Sequence, residues 1–271
     1  MVSAMATTIA VLSQKGGTGK TTMARSLADV FERVGLSTLA VDADPQGNLS
    51  DYFDTDPAAQ PTLGEVLAGQ AKAVDAIHGS VIPANLGLAE AELILSGKMG
   101  RELTLRNALR EAKRRYDAIL IDCPPTLGLL TVNALCAADQ ALLSTEAEYF
   151  SLQGVEQALE VIALARDNLN PELDVLGIVL NIANMRTNHA RQTLETLTEH
   201  FGEKVFDTVI RRSIAYAESA ERAIPILGYR PDRAIDYLRL SEEIFDRLEM
   251  PEQREAVERL ELELVPERAR S

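Results

Sequence analysis

The segment Lys15-Gly16-Gly17-Thr18-Gly19-Lys20-Thr21-Thr22 lies between an apolar run, Ile9-Ala10-Val11-Leu12, and an amphipathic helical pattern that opens near Lys20. A strand that runs through a glycine-rich loop into a helix aims several backbone N–H groups and the positive helix end at one point, where an anion is stabilised. Glycines let the main chain wrap closely around phosphate oxygens, Lys20 is positioned to reach the β/γ-phosphates, and the Thr21 hydroxyl to coordinate magnesium. The expected ligand is a nucleoside triphosphate held by residues Lys15, Gly16, Gly17, Thr18, Gly19, Lys20, Thr21 and Thr22. A mere tight turn would explain neither the flanking strand and helix nor the Gly-Lys-Thr-Thr ending.

One position departs from the ordinary phosphate loop. The usual pattern has glycine at position 14, but Gln14 stands there and Lys15 follows it. A lysine that early cannot easily serve the same phosphate as Lys20 from its own loop, so a second cation is left for another task. The alternative is a solvated surface lysine.

With 271 residues and 46% hydrophobic residues, the chain can bury one sizeable α/β core. Cys123 and Cys136 sit next to or within apolar segments with no partner at metal-ligand spacing, so they read as reduced core residues of a cytosolic protein. No apolar run approaches about 18 residues, so neither a membrane span nor export is expected. A net charge of −14 excludes a globally basic nucleic-acid binder, and any DNA contact must be local. Solubility and self-repulsion are the ordinary reason for such acidity.

Runs rich in Val, Ile and Leu alternate with helical patterns, which predicts an α/β fold: a doubly wound, mostly parallel sheet flanked by helices. Strands are expected at residues 7–13, 38–42, 118–122, 141–145 and 176–181, with a short one possible at 86–89. Helices are expected at 20–34, 62–68, 101–114, 129–137, 152–167 and 190–201, and from beyond Pro231 to about residue 249. Residues 1–251 read as a single nucleotide-binding domain and 252–271 as a charged tail. A frayed or disordered end is the expectation for that tail, although Val257, Leu260 and Leu264 also fit a short amphipathic helix. Its acidic polar face is wrong for an anionic membrane.

Two further segments carry carboxylates at strand ends. Asp42-Ala43-Asp44-Pro45-Gln46-Gly47-Asn48 follows the second expected strand, where a doubly wound sheet opens onto its ligand crevice. One acid there can support magnesium through water while the other faces the γ-phosphate and orients an attacking water. A turn with an Asx cap is the plainer reading. Ile119-Leu120-Ile121-Asp122 is an apolar strand ending in a carboxylate, the arrangement that holds magnesium through water or through Thr21.

Together these segments resemble the ParA/MinD family of ATPases. The loop matches its deviant Walker A pattern KGGxGK[ST], residues 42–48 match DxDPQGN, and Pro124-Pro125-Thr126-Leu127-Gly128-Leu129-Leu130-Thr131-Val132-Asn133-Ala134-Leu135 follows the family almost residue for residue. Glu146-Ala147-Glu148-Tyr149-Phe150-Ser151-Leu152-Gln153-Gly154 and Arg186-Thr187-Asn188 are similar in a softer way, and the likeness spans roughly residues 7 to 249. The resemblance implies ATP and magnesium as cofactors, with Asp44 as the hydrolytic residue, Lys20 on the phosphates, and Thr21, Asp122 and Asp42 on the metal side. It further implies that Lys15 reaches across a homodimer, formed on ATP binding, to the partner's nucleotide. The ParA/Soj branch implies non-specific DNA binding on the nucleoid in the cytoplasm, a ParB-like centromere-binding partner, and chromosome or plasmid partition. Positioning of a protein cargo, MinD-like membrane cycling and a metabolic P-loop enzyme remain alternatives; an iron–sulfur reductase needs exposed cluster cysteines.

Departures from the pattern fall in the second half. Where relatives read I-P-R-N-V-R, this chain reads Ile210-Arg211-Arg212-Ser213-Ile214-Ala215. Arg211 and Ser213 thus replace the proline and asparagine that lie against adenine in relatives, and Ala215 replaces a DNA-facing arginine. Asn181, at the end of an apolar strand, is placed either to read adenine or to cap the strand. Arg186, Arg191, Arg212 and Arg222 are the DNA candidates, with Arg211, Arg230 and Arg233 beyond them; solvated arginines or structural ion pairs are the alternative.

Overall fold

A computed structural model describes residues 6–147 and 151–265. In chain order the elements are β1 (Thr7–Leu12), α1 (Lys20–Arg33), β2 (Thr38–Asp42), α2 (Asn48–Tyr52), α3 (Leu63–Ala68), β3 (Val81–Ile82), α4 (Gly87–Ser96), α5 (Thr104–Ala108), β4 (Ala118–Asp122), α6 (Leu129–Ala137) and β5 (Gln140–Glu146). They continue with α7 (Ser151–Asn168), β6 (Asp174–Asn181), α8 (Asn188–Phe201), α9 (Ile214–Glu221), α10 (Ile226–Tyr229), α11 (Ile235–Arg247) and α12 (Pro251–Leu264).

The six strands form one parallel sheet in the order β3-β2-β4-β1-β5-β6. Every residue of β2 and β4 is buried, as continuous apolar runs require when helices cover both faces. One face packs against α3 to α8, with Leu12, Val41, Ile119 and Leu143 at its centre. The other packs Ile9, Leu120 and Val179 against α1 and α11, where Phe31 and Phe245 stack at 4.7 Å. The chain steps to opposite sides of β1, so β4 and β5 flank it and a crevice opens at the carboxyl ends of the strands. Register there is tight: Asp122 stands beside both Val11 and Asp42.

Three expectations change. Residues 86–89 open helix α4, because Leu88, Ala91 and Leu95 recur at helical spacing on its buried side. The sixth strand is instead Val81–Ile82, too short to show a periodicity, paired with Ala40 and Val41. The helix expected over 101–114 is broken into α5 between two 3₁₀ turns, since Asn133 of α6 accepts from Leu105 N–H at 3.1 Å and donates to the Arg101 carbonyl at 2.9 Å. In the charged C-terminal segment the amphipathic alternative is the one adopted. α12 packs on α11 with Val257 and Val265 buried and Leu260 and Leu264 against the same core, and Arg254 pairs with Asp246 at 2.9 Å. The rest of the tail, 266–271, lies outside the described residues, as do Glu148, Tyr149 and Phe150 of the softer motif.

Candidate active site

The loop between β1 and α1 forms one end of a cleft of about 630 Å³ at the carboxyl edge of the sheet. Gly17 and Gly19 take left-handed conformations, φ 83° and 76°, which turn the chain back over the start of α1. Behind the loop the Thr18 carbonyl accepts from Ser144 Oγ at 2.7 Å and from Asn181 Nδ2 at 2.9 Å. Asn181 also donates to Ser144 Oγ and accepts from Ile182 N–H, so its amide is engaged within the protein. A Cβ on Gly19 would stand 2.7 Å from Asn181 Nδ2, which makes the glycine obligatory on two counts. Asn181 thus serves as a buttress of the phosphate loop, although it also lines the cleft.

The two lysines of the loop diverge. Lys20 is only 6% exposed and lines the cleft, with its Nζ folded over the loop to the Lys15 carbonyl at 3.5 Å. Lys15 is exposed and lines a separate cavity of about 230 Å³ with Gln14, Ser144, Thr145 and Glu146.

At the strand ends Thr21 Oγ1 donates to Asp122 Oδ2 at 2.6 Å. The other Asp122 oxygen is buried without a hydrogen-bond partner. Burial first, then neighbouring Asp42, raises the Asp122 carboxyl to about 8. An orphaned carboxylate oxygen next to a threonine hydroxyl, in a site crowded with acids, is an oxygen-ligand set that suits a hard divalent cation such as magnesium.

Asp42, expected beside the metal, spends both oxygens on the following segment and does not line the cleft. Oδ1 accepts from Asp44 N–H at 3.1 Å, and Oδ2 from Ser50 N–H and Oγ at 2.8 and 2.7 Å. Burial still raises its carboxyl to about 6. The turn it organises delivers Asp44 to the cleft wall, with Gln46, Asn48, Asp51 and Tyr52 from the turn and α2 beside it. Asp44 Oδ1 accepts from Gln46 N–H at 3.0 Å, so the plainer Asx-turn reading and a cleft-facing carboxylate hold together. Gly47 closes the turn at φ 69°, and a Cβ there would come within 2.9 Å of the Ala84 carbonyl.

The opposite wall comes from β6 and α9. Ser213 caps α9, accepting from Ala215 N–H at 3.3 Å, and lines the cleft with Arg212, Tyr216, Ala217 and Ala220. Arg211, expected against the base, turns away to Asp236, which it meets at 2.7 Å; a nearly buried carboxylate captures it. Arg186, Arg211, Arg212 and Arg233 surround an adjoining groove of about 420 Å³ that also holds Asp232 and Asp236. Arg191 and Arg222 are not part of it: Arg191 meets Asn188 at 2.7 Å on α8, and Arg222 lies over the Tyr229 ring at 5.4 Å. Three tyrosines, 52, 216 and 237, also line the cleft and escaped sequence reading. The available signal was Tyr52 falling four residues after Asn48, on the same helical face.

Cys123 and Cys136 are buried, with burial raising the first thiol strongly and the second to about 11, so neither offers an exposed cluster ligand. Among the described residues no helix is long and apolar enough to cross a membrane.

A parallel sheet whose first strand leads through a phosphate loop to Lys20-Thr21, with a strand-end aspartate bonded to that threonine, defines a P-loop nucleotide hydrolase fold. A family profile described as an AAA domain matches residues 6–175. The sporulation initiation inhibitor protein Soj of Bacillus subtilis is 38% identical over 245 residues, covering 87% of this chain and 97% of Soj. The septum site-determining protein MinD of Pyrococcus horikoshii, solved with Mg-ADP, superposes with a TM-score of 0.74 at 28% identity, covering 92% of this chain and 99% of MinD. Cobyrinic acid a,c-diamide synthase of Mycobacterium smegmatis, solved with an ATP analogue and magnesium, gives 0.74 at 33% identity over 80% of this chain and 93% of that one. The chain belongs to the ParA/MinD family of ATPases.

Proposed function

We propose that this ATPase is a dimerising switch that binds DNA without sequence preference and partitions or positions chromosomal or plasmid DNA. ATP lies with its phosphates on residues 16–22 and its base toward Arg212 and Ser213, between the α2 and α9 walls. Thr21 and Asp122 hold magnesium, which neutralises charge on the phosphate oxygens. Lys20 binds the phosphates, and Asp44 orients the attacking water and accepts its proton.

The observation that carries the reading is the divergence of Lys15 and Lys20: one lysine of the loop lines the cleft and the other lines a separate cavity. Such a placement supports Lys15 acting on a nucleotide held by a second copy, so that two chains enclose two ATP molecules. The Arg186 and Arg212 side chains, gathered at one groove, supply the local positive surface that a net charge of −14 demands of any DNA contact. A ParB-like partner then stimulates hydrolysis and releases the DNA. The same acidity favours one second reading, in which the cargo is a protein. Membrane cycling is disfavoured, because α12 spends its apolar stripe on α11.

DNA retardation with ATP, ADP and no nucleotide, at two salt concentrations, tests this. The expected result is a shift with ATP alone that weakens at higher salt. Equal retardation in all three states, or none in any, excludes the DNA switch, and the latter leaves the protein cargo.

A further inference from the structure

We propose that the hydrogen bond between Tyr52 and Ser219 is a latch between the α2 and α9 walls of the cleft, carrying the state of the terminal phosphate from the Asp44 turn to α9. The proposal rests on the reading that Asp44 faces that phosphate.

The turn and α2 are built as one lever. Gly47 N–H bonds the Asp44 carbonyl and Asp51 N–H the Gly47 carbonyl, both at 3.0 Å, so the turn passes into the helix without a free joint. Ser50 is its fulcrum. It is held to fully buried Asp42 by two hydrogen bonds, and its Oγ accepts from Ala84 N–H at 2.9 Å. Asp44 lies on one side of this point and Tyr52 on the other. Arg25 steadies the far end, with its Nε donating to the Tyr52 carbonyl at 3.4 Å and its guanidinium over the Phe53 ring at 4.1 Å.

Tyr52 then reaches the facing wall. Its hydroxyl meets Ser219 Oγ on α9, and Ser219 donates its only proton to the Ile224 carbonyl at 2.6 Å. That commitment leaves Tyr52 as the donor and fixes the direction of the chain Tyr52 to Ser219 to Ile224. Tyr52 is 2% exposed and Ser219 fully buried, so losing the bond while the helices stay packed leaves the Tyr52 hydroxyl without a partner away from water. The latch is therefore made or broken rather than stretched. Movement of α9 carries Arg212 and Ser213 at its amino end, the residues that line both the cleft and the arginine groove.

A tie that only strengthens packing would act alike whatever nucleotide is bound. Hydrogen exchange of residues 214–221 is to be measured with saturating ADP and with a saturating non-hydrolysable ATP analogue, in the parent, Tyr52→Phe and Ser219→Ala. Occupancy is checked directly with a fluorescent nucleotide. In the parent, exchange should differ between the two states by about fivefold or more. Either variant, fully loaded and folded, should abolish that difference, and the double variant should add nothing further. Retention of the parental difference in a loaded variant overturns the latch and leaves Asp44 untouched. Equal exchange in both states of the parent also overturns the latch, and leaves the reading of Asp44 to the hydrolysis rate of its own variant.

Discussion

Thr21 and Asp122 stand 101 residues apart in the sequence and are joined by a 2.6 Å hydrogen bond where β4 ends beside the phosphate loop. One Asp122 oxygen is thereby fixed and the other is left without a protein partner. Asp122→Asn keeps the shape but replaces a carboxylate oxygen by an amide. Magnesium-dependent hydrolysis should fall about 10- to 100-fold, while nucleotide binding measured in EDTA changes little. Unaltered magnesium dependence in the variant would remove Asp122 from the metal site.

The divergence of the two loop lysines separates their defects. Lys20→Ala should weaken ATP binding about 100-fold or more, because a nearly buried cation is lost from the phosphate end of the cleft. Lys15→Ala should bind ATP near the parental level yet stay a monomer by analytical ultracentrifugation. If that variant dimerises like the parent, Lys15 does not act between subunits.

Asp44 is held at the cleft wall by its own turn rather than by an ion pair. Asp44→Ala should therefore bind ATP and reach the dimer but hydrolyse about 100-fold more slowly or worse. Single-turnover assays with bound ATP isolate that step from binding. Parental turnover would transfer the role of base to another residue.

Five of the six strands were legible because continuous buried apolar runs have few other uses; β2 and β4, each ended by Asp, fall where the pattern puts them, whereas two-residue β3 shows no pattern to read. So was the phosphate loop, whose glycines and lysine are specified by local backbone geometry. What failed to show were outcomes settled by contacts distant in sequence. Nothing near residue 101 announces that Asn133 will interrupt a helix there. Nothing near Arg211 announces that Asp236 will hold its guanidinium away from the cleft. The C-terminal helix is a closer case: Val257, Leu260 and Leu264 gave the stripe, but only α11 supplied the surface that makes burial of Val257 worth about 2 kcal/mol.

That junction carries a pH dependence away from the nucleotide cleft. Burial against α12 raises the Glu242 carboxyl from 4.5 to about 7, with Glu261 and Glu258 pushing the same way and Arg254 and Arg239 opposing. A group bound more tightly to its proton in the folded state adds stability that is complete below about pH 4.5 and is lost as pH rises through about 7. Because Glu242 keeps substantial contact with water, solvent screening leaves about 1 kcal/mol of the effect. Glu242→Gln cannot ionise, so it should retain that stability at every pH. Urea titrations at pH 5 and pH 8 should give a smaller loss on going to pH 8 in the variant than in the parent. An identical loss in both proteins would mean that α12 does not bury Glu242 in solution.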